Sequence, residues 1–243
     1  MTSRTVLITG AAKRIGAALA RDLHAHDFDV IVHCHYSLKI AQDLVNELNN
    51  QRADSALVVE GDLLQFDNYE KIINQAHSFN YRLDVLINNA SSFFPTPMGE
   101  INEQNWQDLM GVNVQAPLFL SQSAIPYLRQ SKGCIINMTD IHASQPMKDH
   151  TTYCTAKAGL DMLTRSLARE FAPDVRVNGL ALGAVLWPDQ GNQKRQEEVM
   201  TNTAMKRTAE LNEVCAAIRF LIDEAEYSTG QILALDVGRT RYT

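Results

Sequence analysis

Short apolar runs alternate with longer amphipathic stretches along almost the whole chain. The runs are Val6-Leu7-Ile8, Val30-Ile31-Val32, Leu57-Val58-Val59, Val85-Leu86-Ile87, Ile135-Ile136-Asn137-Met138, Val177-Asn178-Gly179-Leu180 and Ile232-Leu233-Ala234-Leu235. They lack polar alternation, the pattern of strands buried on both faces of a parallel sheet. Between them apolar positions recur at helical spacing: Ile15, Leu19 and Leu23 after the first run, Ala41, Leu44 and Leu48 after the second. Strands joined by helical crossovers predict an α/β fold, a doubly wound parallel sheet of about seven strands with helices on both faces.

No linker rich in Pro, Gly or Ser and no block of charge divides the chain, so residues 1–243 are expected to form a single domain. One stretch breaks the rhythm, the polar segment Trp187 to Lys206 between the sixth strand and a helix near Val214. A substrate lid over about 186–207 belongs there, and a solvated insertion explains the composition equally well. With 45% hydrophobic and 21% charged residues, the chain can bury a sizeable core. Its net charge of −6 argues against nucleic acid or an anionic membrane as the main partner. No apolar run approaches the roughly 20 residues that span a bilayer, and the first strand begins too early to leave room for a signal peptide. Cys34, Cys134, Cys154 and Cys215 show no C-x-x-C spacing. They read as reduced thiols of a cytoplasmic protein, with no metal site.

Thr9-Gly10-Ala11-Ala12-Lys13-Arg14-Ile15-Gly16 follows the first strand and opens the first helix. Small residues there let backbone approach a pyrophosphate, and the helix start offers free N–H groups, as in Rossmann-like dinucleotide sites. Arg14 stands in place of the middle glycine of G-x-G-x-x-G, where a guanidinium can fork onto phosphate. After the second strand, His33-Cys34-His35-Tyr36-Ser37 lacks the acid that usually binds the ribose hydroxyl of NAD. Arg14, His33 and Ser37 suit a 2′-phosphate instead, which favours NADP(H). Asp62 with Leu63, and Asn89 with Ala90, follow the third and fourth strands where an adenine and the rest of the cofactor would lie; turn formation accounts for the same residues.

Tyr153 and Lys157 lie four apart, on one face of a helix, thirteen residues after Asp140. An ammonium beside a phenol lowers a pKa of about 10 and makes it a proton donor for reduction by hydride. Asp140 can accept or, protonated, donate a hydrogen bond, and it can equally cap the following turn. Phe93 offers a face for a flat ring, or a core side chain.

In the Thr-Gly loop, Asp62, Asn88-Asn89-Ala90, Asn113, the Tyr153/Lys157 pair and Ser228-Thr229-Gly230-Gln231, the chain resembles the short-chain dehydrogenase/reductase family from end to end. Lys13-Arg14, Asp140 in place of a serine, and Ser91-Ser92-Phe93-Phe94-Pro95 are similar to its pteridine reductase branch, dihydromonapterin reductases included. The resemblance implies NADPH-dependent reduction of a pterin stacked between Phe93 and the nicotinamide, with Ser91 on its polar atoms. Tyr153 and Asp140 would manage the proton, Lys157 the nicotinamide ribose, and Asn113 a relay water. Tyr36 and Gly183 would border the cofactor. It also implies a homotetramer joined through helices at Gln104–Leu128 and Thr151–Phe171. Where the pattern breaks, Tyr36 stands for an arginine, Leu182-Gly183 for Pro-Gly and Val237-Gly238 for Gly-Gly. A 3-oxoacyl-thioester or small-ketone reductase and a non-catalytic NADP sensor are the rival expectations.

Overall fold

The computed structural model describes residues 3–186 and 193–242. Seven strands form one sheet: β1 Arg4–Ile8, β2 Phe28–Cys34, β3 Ala56–Glu60, β4 Val85–Asn88, β5 Cys134–Asp140, β6 Arg176–Leu182 and β7 Ile232–Leu235. All neighbours pair in parallel, in the order β3-β2-β1-β4-β5-β6-β7. The chain winds outward from β1 to β3, returns, and continues from β4 to β7 on the other side. Connections therefore diverge between β1 and β4, and a crevice opens at the carboxyl ends of those two strands.

The helices are α1 Arg14–Ala25, α2 Leu38–Gln51, α3 Asn68–Asn80, α4 Glu103–Met110, α5 Ala116–Ser131, α6 Thr151–Phe171, α7 Gln193–Thr201, α8 Leu211–Arg219 and α9 Arg239–Tyr242. Successive strand residues point to opposite faces, which divides the core in two. Val6, Ile8, Val30, Val32 and Ile87 pack with Leu19 of α1, Leu44 of α2 and Val214 of α8. Leu7, Ile31, Leu86 and Ile135 pack with Ile72 of α3, Leu120 of α5 and Leu167 of α6 on the other face. Each such side chain stabilises the fold by about 1.5–3 kcal/mol relative to exposure. The unbroken apolar runs thus fit the arrangement they predicted, except at β7. That strand is an edge, and Leu233 on it is 38% exposed.

The stretch Gln104–Leu128 is not one regular helix. A π turn at Gly111–Gln115 joins α4 to α5, and Asn113 sits inside it, fully buried. Beneath the site a buried polar chain crosses the sheet. Asn88 Nδ2 donates to Asn137 Oδ1 at 2.8 Å, Asn137 Nδ2 to Thr164 Oγ1 at 2.9 Å, and Thr164 Oγ1 to the Leu160 carbonyl at 2.8 Å. Asn88 and Asn137 are register partners on β4 and β5, so the chain pins the two strands to each other and to α6. No helix among the described residues is long and apolar enough to cross a membrane.

Thr164→Val keeps the shape of this site but leaves the Asn137 amide without its acceptor. Orphaning a buried donor costs about 1–3 kcal/mol. Urea denaturation should show a loss of that size, and an unchanged midpoint would mean that the chain does not hold the strands together.

Candidate active site

The loop after β1 and the end of β4 meet at backbone distance. Thr9 Oγ1 accepts from the Asn89 and Ala90 amides at 2.9 and 3.0 Å, and Asn89 Nδ2 donates to the Thr9 carbonyl at 2.7 Å. A side chain on Gly10, at φ 61°, would touch Ala90 Cα at 3.0 Å; one on Gly16 would meet the Gly10 carbonyl at 2.6 Å. Only glycine lets the loop lie this close to α1 and β4. Lys13, at the N-cap of α1, makes no side-chain cap bond, and the first turn carries no acid. That leaves the positive end of the helix open to an anion. A nicotinamide dinucleotide fits this ground: its phosphates would meet the open helix start, between glycines that clear the approach.

His33 stands elsewhere than the sequence placed it. The ring is 2% exposed, accepts at Nδ1 from the Gly10 amide at 3.2 Å, and lies 3.0 Å from the Gly61 carbonyl at Nε2. Both nitrogens are occupied by backbone, so the ring is a strut between the loop and β3, with nothing left for a phosphate. Burial, the largest cause, pushes its pKa down to about 4. The solvent side of this region belongs to Tyr36, 91% exposed and stacked on His35 at 3.6 Å, and to Ser37 at the start of α2. The Asp62 carboxylate takes the Leu64 amide at 2.9 Å and lies 3.7 Å from His35, a turn-forming role; Leu63 is buried. No acid stands at positions 35–37.

A cavity of about 580 Å³ opens beside the crevice, lined by Ser91, Phe93, Asp140, Tyr153 and Lys157 and, toward the loop, by Arg14, Ile15, Asn89 and Gly183. The Tyr153 hydroxyl donates to Asp140 Oδ2 at 2.7 Å, while Asp140 Oδ1 accepts from the His142 amide at 2.8 Å. One carboxyl oxygen therefore caps the turn after β5 and the other holds the phenol. Phe93 is 52% exposed, stacked on His150 at 4.9 Å and edge-on to Tyr153 at 4.8 Å. It walls the cavity rather than filling the core.

The electrostatics differ from the sequence expectation. Lys157 Nζ donates to the Met138 carbonyl at 2.9 Å and lies 5.8 Å from the Tyr153 ring centre. Burial first, then the Asp140 charge and hydrogen bond, push the Tyr153 pKa well above the ordinary phenol range. The lysine does not offset that, so the phenol holds its proton and presents it toward the carboxyl. Lys157 itself is pulled down to about 8, by burial first, against the opposing charges of Asp140 and Asp161. Asn113 stands behind the wall. Its Nδ2 donates to the Ser92 and Leu109 carbonyls at 3.0 and 2.9 Å, and its Oδ1 accepts from Ser91 Oγ at 2.7 Å. The side chain braces residues 91–92, and its Oδ1 retains one lone pair beyond the bond from Ser91.

Arg14 turns toward the cavity too, its Nη2 3.4 Å from the Leu186 carbonyl, rather than toward the end of β2. The sequence reading missed Arg239, which lines the same cavity from the chain's carboxyl end. The available signal was its place: like Asp140 and Gly183, it follows the carboxyl end of a strand. Of the expected lid, α7 contributes Gln196 and Val199 to the lining, while Trp187 to Asn192 lie outside the described residues.

The profile of the short chain dehydrogenase family matches residues 4–199. Pteridine reductase 1 of Leishmania tarentolae is 33% identical over 98% of this chain and 96% of its own length. Glucose 1-dehydrogenase 2 of Bacillus subtilis is 28% identical over 100% of the chain and 96% of its own. A 3-oxoacyl-[acyl-carrier-protein] reductase of Staphylococcus aureus is 29% identical over 97% and 98%.

Two pH limits follow from the buried groups. The folded His33 pKa, about 4, lies below its ordinary 6.5. The unfolded chain therefore binds the extra proton first, and the strut's contribution is complete above pH 6.5 and lost as pH falls toward 4. His33→Leu should lack that part of the acid limb in denaturation measured against pH; an identical limb in both proteins would disprove the strut. On the alkaline side, Lys157 loses its charge near pH 8. Reductase kcat/KM should decline as pH rises through that value, and a profile flat to pH 10 would contradict a role for the ammonium.

Proposed function

Because the chain belongs to the short chain dehydrogenase family, we propose that this oxidoreductase is an NADPH-dependent pteridine reductase, converting a dihydropterin, dihydrofolate included, to its tetrahydro form. The observation that carries this reading is the 2.7 Å hydrogen bond from Tyr153 to Asp140 at the wall of a cavity that also exposes the Phe93 ring. A ketone oxygen is an acceptor alone, and beside the Asp140 carboxyl it would meet another acceptor. The amino and ring N–H groups of a pterin are donors that a carboxyl can receive. Phe93 supplies an aromatic face for the same flat ring, where stacking adds about 0.5–1.5 kcal/mol beyond burial.

Reduced nicotinamide, when bound, supplies the hydride. The chain's own groups do the rest. Tyr153 delivers its proton to a ring nitrogen next to the reduced carbon, and Asp140 holds the phenol in line and receives the substrate's N–H groups. Lys157 positions the nicotinamide ribose, Ser91 meets polar ring atoms, and Asn113 keeps Ser91 in place. Arg14 and Lys13 serve the cofactor phosphates, and the acid-free end of β2 with Tyr36 and Ser37 supports NADPH over NADH. A tetramer through α4–α5 and α6 accords with the exposure of Trp106 and Met162, 49% and 58%. The four buried free thiols suit the reducing cytoplasm.

Similarity to the 3-oxoacyl reductase keeps one other substrate in view. NADPH oxidation followed in parallel with dihydrobiopterin, dihydromonapterin, dihydrofolate and an acetoacetyl thioester decides between them. Turnover is expected on pterins; activity on the thioester alone would transfer the reading to a ketone reductase. Tyr153→Phe should lower pterin kcat by about a hundredfold or more while NADPH still binds. Unchanged turnover would remove Tyr153 from the mechanism.

A further inference from the structure

We infer that Arg239 selects pterins whose side chain ends in an anion, a phosphate or a carboxylate. This rests on the pteridine reading and says which member of that class the cavity prefers.

Charge in the cavity runs opposite to charge on the chain. The protein carries 28 acids against 22 bases, yet among the described residues the cavity is lined by Arg14, Lys157 and Arg239, with Asp140 as the lone acid. Two of the cations are spoken for: Lys157 donates to the Met138 carbonyl at 2.9 Å, and Arg14 donates to the Leu186 carbonyl at 3.4 Å. Arg239 has no such partner. Among the described residues no hydrogen bond or ion pair holds its guanidinium, although it is half-buried.

Its position points to the far end of a substrate. The phosphate-facing loop follows β1, Asp140 ends β5 and Arg239 follows β7. Across the sheet β7 is four strands from β1 and two from β5. At about 4.8 Å per strand, these steps are roughly 19 Å and 10 Å. Arg239 is therefore remote from the cofactor phosphates and at side-chain reach from the ring that Asp140 would hold.

The turn that carries Arg239 is built and strained. Val237 has φ 51°, a left-handed conformation unfavourable for a β-branched residue, and Gly238 follows at φ 79°. Strain of this kind persists where the surroundings enforce it. Here Asp236 accepts from the Gly238 and Thr240 amides at 3.0 and 2.7 Å, the Met205 amide donates to the Val237 carbonyl, and Gln145 donates to the Thr240 carbonyl at 2.8 Å. The turn's own Asp236 and two separate segments fix the backbone on either side of a guanidinium that has no partner among the described residues. A preorganised cation loses little on receiving a ligand, and a hydrogen bond to a charged group is worth about tenfold or more in affinity.

Calorimetry on the full chain saturated with NADP+ tests this with ligand pairs that share a pterin and differ in a charged end group: neopterin against neopterin phosphate, and folate dimethyl ester against folate. The wild type should bind the charged member of at least one pair more tightly, and that pair tells phosphate from carboxylate. Arg239→Gln should reduce the preference by about tenfold or more, and Arg239→Lys should recover part of it. A wild type without preference, or an Arg239→Gln protein that keeps it, overturns the inference while the pteridine reading stands. Failure of all four ligands to bind is a different result, and it removes that reading together with this inference.

Discussion

Backbone contact between the loop after β1 and the end of β4 is the constraint on which the rest of the site depends. Thr9 Oγ1 gathers two amides of the Asn89-Ala90 pair, and Gly10 lies against Ala90 with no room for a side chain. The two strands diverge beyond that contact and leave a crevice whose floor is main chain. Everything with chemistry stands around its rim: the open end of α1, the Asp140 turn, and the face of α6 with Tyr153 and Lys157. His33 supports the same contact from below, tying the loop to the end of β3.

On that rim, hydrogen bonding and burial dominate over simple charge pairing. Spacing on α6 puts Tyr153 and Lys157 on one face, but the backbone carbonyl of Met138 captures the ammonium, and the phenol turns to Asp140. A buried neutral donor beside a carboxyl is a stable arrangement, because neither group needs water. In this state the tyrosine keeps its proton, and burial and Asp140 rather than the lysine set its acidity.

Strand positions were legible in the sequence because a parallel sheet covered on both sides demands unbroken apolar runs, and the runs at residues 6–8, 30–32 and 85–87 have no other use. The glycine loop and the Tyr153/Lys157 pair were legible for a similar reason: backbone proximity and helical spacing are local properties. What spacing could not convey is where side chains turn. His33 reads as a phosphate ligand until β3 is laid beside it and the Gly61 carbonyl takes its ring. Arg14 reads as facing the end of β2, yet it points at Leu186. Arg239 was hidden because only the sheet order brings the last strand to the same cavity as Asp140. β7 reads as a central strand, its edge position being a matter of topology rather than composition.

The π turn between α4 and α5 bears on how the site is kept in register. A turn widened to i→i+5 holds one residue more than regular winding, so the side chains beyond it are rotated by about 100° from their expected phase. The surplus residue lets one long rod satisfy two unrelated surfaces. Leu109, before the widening, packs beside Tyr153, and Leu120, after it, packs into the core under the sheet. Asn113, at the change of phase, ties the rod to the Ser91-Ser92 segment. The rod and the rim of the cleft are thus joined at the point where the helix is out of step with itself.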